Sequence, residues 1–221
     1  VAIYTTKDFK EITYHGIISC FDSRNAVPLF QSENEVYMLL RFHPHIYIAP
    51  LEAGIEQILK PKEYENEWME IYENKDRFLL LRAGELLHER EKIGPGPPPI
   101  RTSEGWLLIY HAVGIINREI CMEYGLNGEI ERGYSICAAL LDAEDPQKII
   151  CKTRTPLYIP SRPYELWGDE SYPVDVPAVV FPTGAILRGD KLLLYCGAGD
   201  KYVILLSCDV KLLLDYMFER S

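Results

Sequence analysis

KIGPGPPPIRTSEGWLLIYH, residues 92–111, places a lysine, a glycine–proline turn and an apolar run ending in histidine next to one another. Pro97, Pro98 and Pro99 fix φ and remove backbone donors, while Gly94 and Gly96 allow turns that a side chain would forbid. Helix and central strand are therefore excluded, and a stiff loop is expected to lead into a strand from Trp106 to Tyr110. Lys92 and His111 at the two ends of this stretch read as cationic ligands for an anion on a β scaffold. The plainer alternative is a solvated loop lysine and a satisfied strand-end histidine.

Working outward, the same strand signature recurs on both sides. Val1–Thr5, Gly16–Cys20, Val36–Phe42, His45–Ala49, Arg77–Arg82, Trp106–Val113, Tyr134–Leu141, Ile149–Thr153, Ala178–Phe181, Lys191–Tyr195 and Tyr202–Cys208 are rich in β-branched, aromatic or aliphatic residues. Gly, Pro, Asn, Asp or charged clusters bound each run. Helical periodicity is scarce: Asp209 is expected to cap a short C-terminal helix that buries Leu212, Leu213 and Tyr216, and Leu51–Leu59 suits one further turn. The chain therefore reads as a single all-β domain over residues 1–221.

Composition narrows the partners. Thirty-three acidic against 23 basic residues give a net charge of −10, which argues against nucleic acid or an anionic membrane and favours a small ligand held by a local cationic site. The six cysteines are scattered, mostly in apolar runs, with no metal-ligand spacing, so buried thiols and no metal are expected. No run reaches the roughly 18 apolar residues of a membrane helix, and the reading is cytoplasmic.

A repeated pattern orders the strands. EVYMLLRFHPHIYIAPLE, GWLLIYHAV with GYSICAALLDAED, and DKLLLYCGAGDKYVILLSCD each run from an apolar strand through a turn to a second apolar strand and an acidic residue. Such hairpins suit the blades of a β-propeller, with Arg41, His111 and Cys196 at comparable points; a β-sandwich or meander is the alternative.

Residues 92–111, the run LLDAEDPQKIICKTRTPLYIPSRPYE (140–165) and VVFPTGAILRGDKLLLYCGAGD (179–200) together resemble glycoside hydrolase family 130, the mannoside phosphorylases and related mannosidases. The opening VAIYTTKDFKEITYHGII is similar to that family's third-blade entry. The resemblance implies a five-bladed propeller, here lacking the N-terminal blades, with an axial sugar pocket. Open blade faces would then favour a homo-oligomer.

The same resemblance implies roles for single residues. Arg41, Lys92 and His111 match the phosphate-binding cations, whose fork, point charge and directed donor suit phosphate oxygens. Asp200 is the expected sugar ligand, with Tyr164 and Glu165 as further candidates; Tyr110 and Trp106 would supply apolar surface, although an indole in such a strand more often packs in the core. Inorganic phosphate would be the co-substrate, no cofactor is implied, and β-mannosides would be cleaved with inversion. The family's general acid aligns with Ala26 in FDSRNAVPLF, leaving Asp22 earlier in that run as the available carboxylate. Two alternatives stand beside this: a hydrolase of the same fold using Glu85, Glu89, Glu131 or Glu165, and, from that departure and the missing blades, a catalytically impaired carbohydrate-binding propeller.

Overall fold

The computed structural model describes residues 1–219. Strands β1 (Ala2–Thr6) and β2 (Ile12–Ile17) form a hairpin. A four-stranded meander follows, built from β3 (Ala26–Phe30), β4 (Val36–Leu40), β5 (Ile46–Pro50) and β6 (Leu79–Leu81). The connection between β5 and β6 carries helices α1 (Ile55–Leu59) and α2 (Glu65–Glu73).

The central sheet contains β7 (Lys92–Pro95), β8 (Ile100–Arg101), β9 (Trp106–Ile116), β10 (Ile130–Leu141) and β11 (Ile149–Lys152), in the order β7-β9-β10-β11 with β8 also on β9. Helix α3 (Arg118–Glu123) joins β9 to β10. The last sheet is β12 (Val180–Arg188), β13 (Lys191–Ala198) and β14 (Tyr202–Asp209), followed by α4 (Val210–Glu219). The fold is all-β and of propeller type, with a short C-terminal helix.

Strand alternation makes the central sheet the middle of three layers. Leu107, Ile109, Ile136, Ala138 and Leu140 pack against Val180, Leu192, Leu194 and α4. The intervening residues Trp106, Leu108, Tyr110, Cys137, Ala139 and Leu141 pack the other way, against Leu29, Leu39, Ile46 and Ile48 of the meander. Successive side chains of a strand point to opposite faces, so a strand buried on both sides reads as an unbroken apolar run, as β9 and β10 do. The far side of the meander is covered by Trp68 and Ile71 of α2 with Phe21 and Phe42.

The first strands β3, β7 and β12 each lie at the edge of their sheet and each carry a proline: Pro28, Pro95 and Pro182. A residue without an N–H is tolerated where no further strand needs that donor. This corrects the expectation of a loop from Lys92 onward. Lys92–Pro95 is an edge strand, pinned by the Ile93 N–H on Pro44 O at 3.0 Å and by pairing with Tyr110–Val113.

Other expectations shift in detail. The C-terminal helix forms with Asp209 capping it: the N–H groups of Lys211 and Leu212 donate to Asp209 Oδ1 at 2.9 and 3.1 Å. Leu213 is buried but Leu212 is 69% exposed, because the face that packs is formed by Val210, Leu213, Leu214 and Met217. Four cysteines are buried, Cys20 is half-buried and Cys208 is exposed near the end of β14; all six are free thiols. No helix among the described residues is long and apolar enough to cross a membrane. The outer face of the last sheet presents Ile186, Tyr195, Val203 and Leu205 to solvent.

Gly114 lets β9 pass against the turn before β7. A Cβ there would strike Leu87 O and stand 2.8 Å from both Arg90 N and the His88 carbonyl carbon. Because those atoms are backbone, Gly114→Ala is expected to cost about 1–3 kcal/mol. Chemical denaturation checks this, and an unchanged midpoint would contradict it.

Candidate functional site

The chain returns to one place three times. Arg41 follows β4 directly, Lys92 opens β7, and His111 lies within β9 opposite Gly94. Gly94 permits the convergence: a Cβ at that position would meet the His111 ring, with Nε2 at 2.8 Å, and Arg41 Cδ at 2.9 Å. The glycine selected from sequence for its turn is therefore required for a close approach of two side chains.

The cluster is cationic and short of counter-charge. Arg41 is 7% exposed and His111 1% exposed, and neither Arg41 Nε nor His111 Nδ1 has a hydrogen-bond partner. Burial, reinforced by the charges of Arg41 and Lys92, pushes His111 down to about 3. Burial also lowers Arg41, with Arg24 opposing its charge and Tyr134 and Asp22 favouring it. Lys92 Nζ stands 3.9 Å from Glu91 Oε1, but that carboxylate is already gripped by Arg132 at 2.6 and 2.8 Å. Buried polar groups in native proteins normally find partners, so unpartnered nitrogens in a cationic cluster fit an anionic ligand.

Two residues absent from the sequence-level set belong here. The Tyr134 ring lies 6.1 Å from the His111 ring, with Lys92 Nζ 5.3 Å and the Arg132 guanidinium 5.4 Å from its centroid. The signal was available in strand parity, since Tyr134 is two residues from Ile136, which faces His111 across the β9–β10 ladder. Arg24 is the second, brought near Arg41 by a turn in which Ser23 Oγ and Asn25 O both accept from the Arg41 N–H, at 3.1 and 3.0 Å. That turn also carries Asp22, which is exposed and acts electrostatically on Arg41. Ala26 begins β3, paired with Leu40.

The remaining sequence candidates divide. Asp200 sits in the β13–β14 turn at φ +53°, next to Gly199, where a Cβ would lie 2.8 Å from Tyr164 O. Tyr164 packs edge-on to Tyr172 and Tyr202, with centroids 5.8 and 6.1 Å away, so Asp200 adjoins an aromatic group. The Gly199 N–H bonds Val179 O at 3.0 Å, and Val179 bridges to Tyr134, which ties this rim to the cationic cluster.

Tyr110 and Glu165 are not brought to the cluster. Alternation turns Tyr110 away from His111, and its hydroxyl donates to Glu89 Oε1 at 2.7 Å inside the core. Glu165 is buried and accepts from Tyr158 Oη and from the Ser161 and Arg162 N–H groups, so it braces its own loop. Trp106 packs in the core, its Nε1 donating to Gln31 Oε1 at 2.6 Å. Cys196 lies in β13, the middle strand of its sheet, and is a core residue.

Among the carboxylates considered for water activation, Glu85 holds Lys152 at 2.7 Å, beside a cleft of about 850 Å³ between β6 and β11. Glu89 is engaged by Tyr110 and Lys152, and Glu131 lies exposed in β10.

Comparison with known proteins gives this arrangement a context. A β-1,2-mannobiose phosphorylase of Listeria innocua is 30% identical over 215 residues, covering 96% of this chain and 50% of its own. A β-1,4-mannooligosaccharide phosphorylase of Ruminococcus albus is 35% identical over 135 residues, 60% of this chain and 35% of its own. The solved structure of the Listeria innocua β-1,2-mannobiose phosphorylase with β-1,2-mannobiose superposes at a TM-score of 0.72 with 26% identity, over 99% of this chain and 53% of that one. The chain thus spans about half the length of such relatives. The profile of glycoside hydrolase family 130, described as β-1,4-mannooligosaccharide phosphorylase, matches residues 2–219, so sheets, cationic cluster and rim all fall within it. By that match, end to end across the described residues, the chain belongs to glycoside hydrolase family 130.

Proposed function

We propose that the protein performs inverting phosphorolysis of β-mannosides, with Arg41, Lys92 and His111 holding inorganic phosphate. The observation that carries this reading is that Arg41 Nε and His111 Nδ1 are buried without partners beside Lys92, whose nearest carboxylate, Glu91, is gripped by Arg132. Phosphate would supply hydrogen-bond partners and negative charge, and the Tyr134 ring lies beside His111 and Lys92.

In the proposed reaction a phosphate oxygen attacks the anomeric carbon of the terminal mannose as its bond to the leaving oxygen breaks. Mannose 1-phosphate forms with inverted configuration, and the shortened glycan departs with a proton from an acid. Asp22 is the proposed source of that proton, relayed through a sugar hydroxyl, since it is exposed on the turn that encloses Arg41. Asp200 would accept hydrogen bonds from sugar hydroxyls, with the tyrosines beside it as apolar surface. The unpartnered cationic cluster favours phosphorolysis, and two of the four carboxylates that could serve hydrolysis, Glu89 and Glu165, are held by internal hydrogen bonds. Relatives named for β-1,2 and for β-1,4 linkages leave both as substrates to assay.

The first test is release of mannose 1-phosphate from β-1,2- and β-1,4-mannobiose with and without phosphate. Turnover is expected only with phosphate; equal turnover without it would overturn the reading. Lys92→Ala should raise the phosphate KM about 30-fold or more, the cost of removing one partner of a partly buried charge-assisted contact. Gly94→Ala should weaken phosphate binding by displacing Arg41 and His111, as read by calorimetry on the folded variant; unaltered affinity would count against the site.

Asp22→Asn separates binding from chemistry. It is expected to lower kcat about 100-fold or more, the range of a general acid, with phosphate affinity retained. An unchanged kcat would remove Asp22 from the mechanism.

Acid sensitivity follows from the buried imidazole. His111 titrates at about 3 when folded against an ordinary 6.5, so its contribution to stability is complete above pH 6.5 and is lost progressively as pH falls toward 3. Bound phosphate reverses the local field, so the loss between pH 7 and 4 should be smaller with phosphate present. Identical melting curves with and without phosphate across that range would contradict this.

A further inference from the structure

Behind the anion cluster, on the opposite face of the central sheet, lies a second group of polar side chains that the reaction does not use. His88 and Glu89 come from the tight turn Leu87–Glu89 that precedes β7, and Cys137 comes from β10, where it pairs with Tyr110. His88 is 3% exposed, and Glu89 and Cys137 are fully buried. One ligand-capable atom from each lies within 4.8 Å of the others. His88 Nε2 has no hydrogen-bond partner, nor has the nearby Ser135 Oγ.

We propose that His88, Glu89 and Cys137 form a structural site for a zinc-type divalent cation. A nitrogen, a carboxylate oxygen and a sulfur are the donor set zinc takes, and thiolate with imidazole disfavours calcium and magnesium. Ligand bonds of about 2.0–2.3 Å place tetrahedral donors about 3.5 Å apart, so the three groups need to close only slightly. Burial holds the His88 imidazole neutral, its coordinating form, down to about pH 4. Burial also keeps the Cys137 thiol protonated, so binding would release that proton and leave a coordinated thiolate.

The surroundings supply the outer support and a way in. Tyr110 Oη donates to Glu89 Oε1 at 2.7 Å and orients the carboxylate. Lys152 Nζ, 3.3 Å from Glu89 Oε2, is held more closely by Glu85 at 2.7 Å. Glu85 and Lys152 both line the cleft of about 850 Å³, so an ion arriving there displaces the lysine from Glu89 while the lysine keeps Glu85. Once bound, the ion would tie the turn that launches Lys92 to the middle of the sheet.

The test is titration of chelator-treated protein with Co²⁺, followed by displacement with Zn²⁺. One equivalent should produce a near-ultraviolet thiolate-to-cobalt band, lost on adding zinc, and Zn²⁺ should raise the melting temperature. Cys137→Ser should abolish the band. His88→Phe, which keeps the volume filled and stands in if the serine variant fails to fold, should weaken Co²⁺ binding at least about tenfold, by the loss of one protein ligand. Cys208→Ser, at the exposed thiol, should leave the band intact. Absence of a band, or a band that survives in His88→Phe at unchanged affinity, overturns the proposal.

Discussion

Burial of β9 and β10 on both faces is the constraint from which the rest of the molecule follows. Leu107 and Ile109 lean toward the last sheet while Leu108 and Tyr110 lean toward the meander, so neither layer can be removed without exposing a wall of aliphatic side chains. At roughly 25 cal/mol per Å² of apolar surface, this double burial outweighs any single polar contact in the chain. It also sorts function by parity. His111 shares a face with Tyr134 and meets the anion cluster, whereas Tyr110, one residue away, enters the polar group around Glu89.

The anion cluster tolerates its charge only because of where it sits. Arg41 and His111 meet over Gly94 at the edge strand β7, where the sheet ends. An unpaired buried cation is costly, and burial with the charges of Arg41 and Lys92 keeps His111 neutral. Arg132 takes Glu91 away from Lys92, so the nearest carboxylate does not quench the site.

Much of this was legible in the sequence because the signals are local. Strand runs with turn residues between them and the Asp209 cap rest on short-range chemistry. What escaped depends on partners far along the chain. Helix α2 shows only Trp68 and Ile71 as buried positions in an otherwise charged segment, too thin a stripe to recognise. The edge strand β7 was hidden by Gly94, Gly96 and the prolines that follow, which signal a loop until the free edge beside it is known. Glu165 looked like a sugar ligand, but its carboxylate closes a hydrogen-bonded loop with Tyr158, Ser161 and Arg162. Tyr134 and Arg24 join the site through strand register and a turn, neither of which a motif records.

The central claim is that three cations from separate segments bind one anion at Gly94. A crystal structure of the protein with phosphate and mannose tests it most directly. The account predicts phosphate in contact with Arg41, Lys92 and His111 together, with the sugar toward Asp200. Phosphate bound instead in the cleft between β6 and β11, among Arg82, Lys152 and Arg154, with the Gly94 recess free of anion, would contradict it.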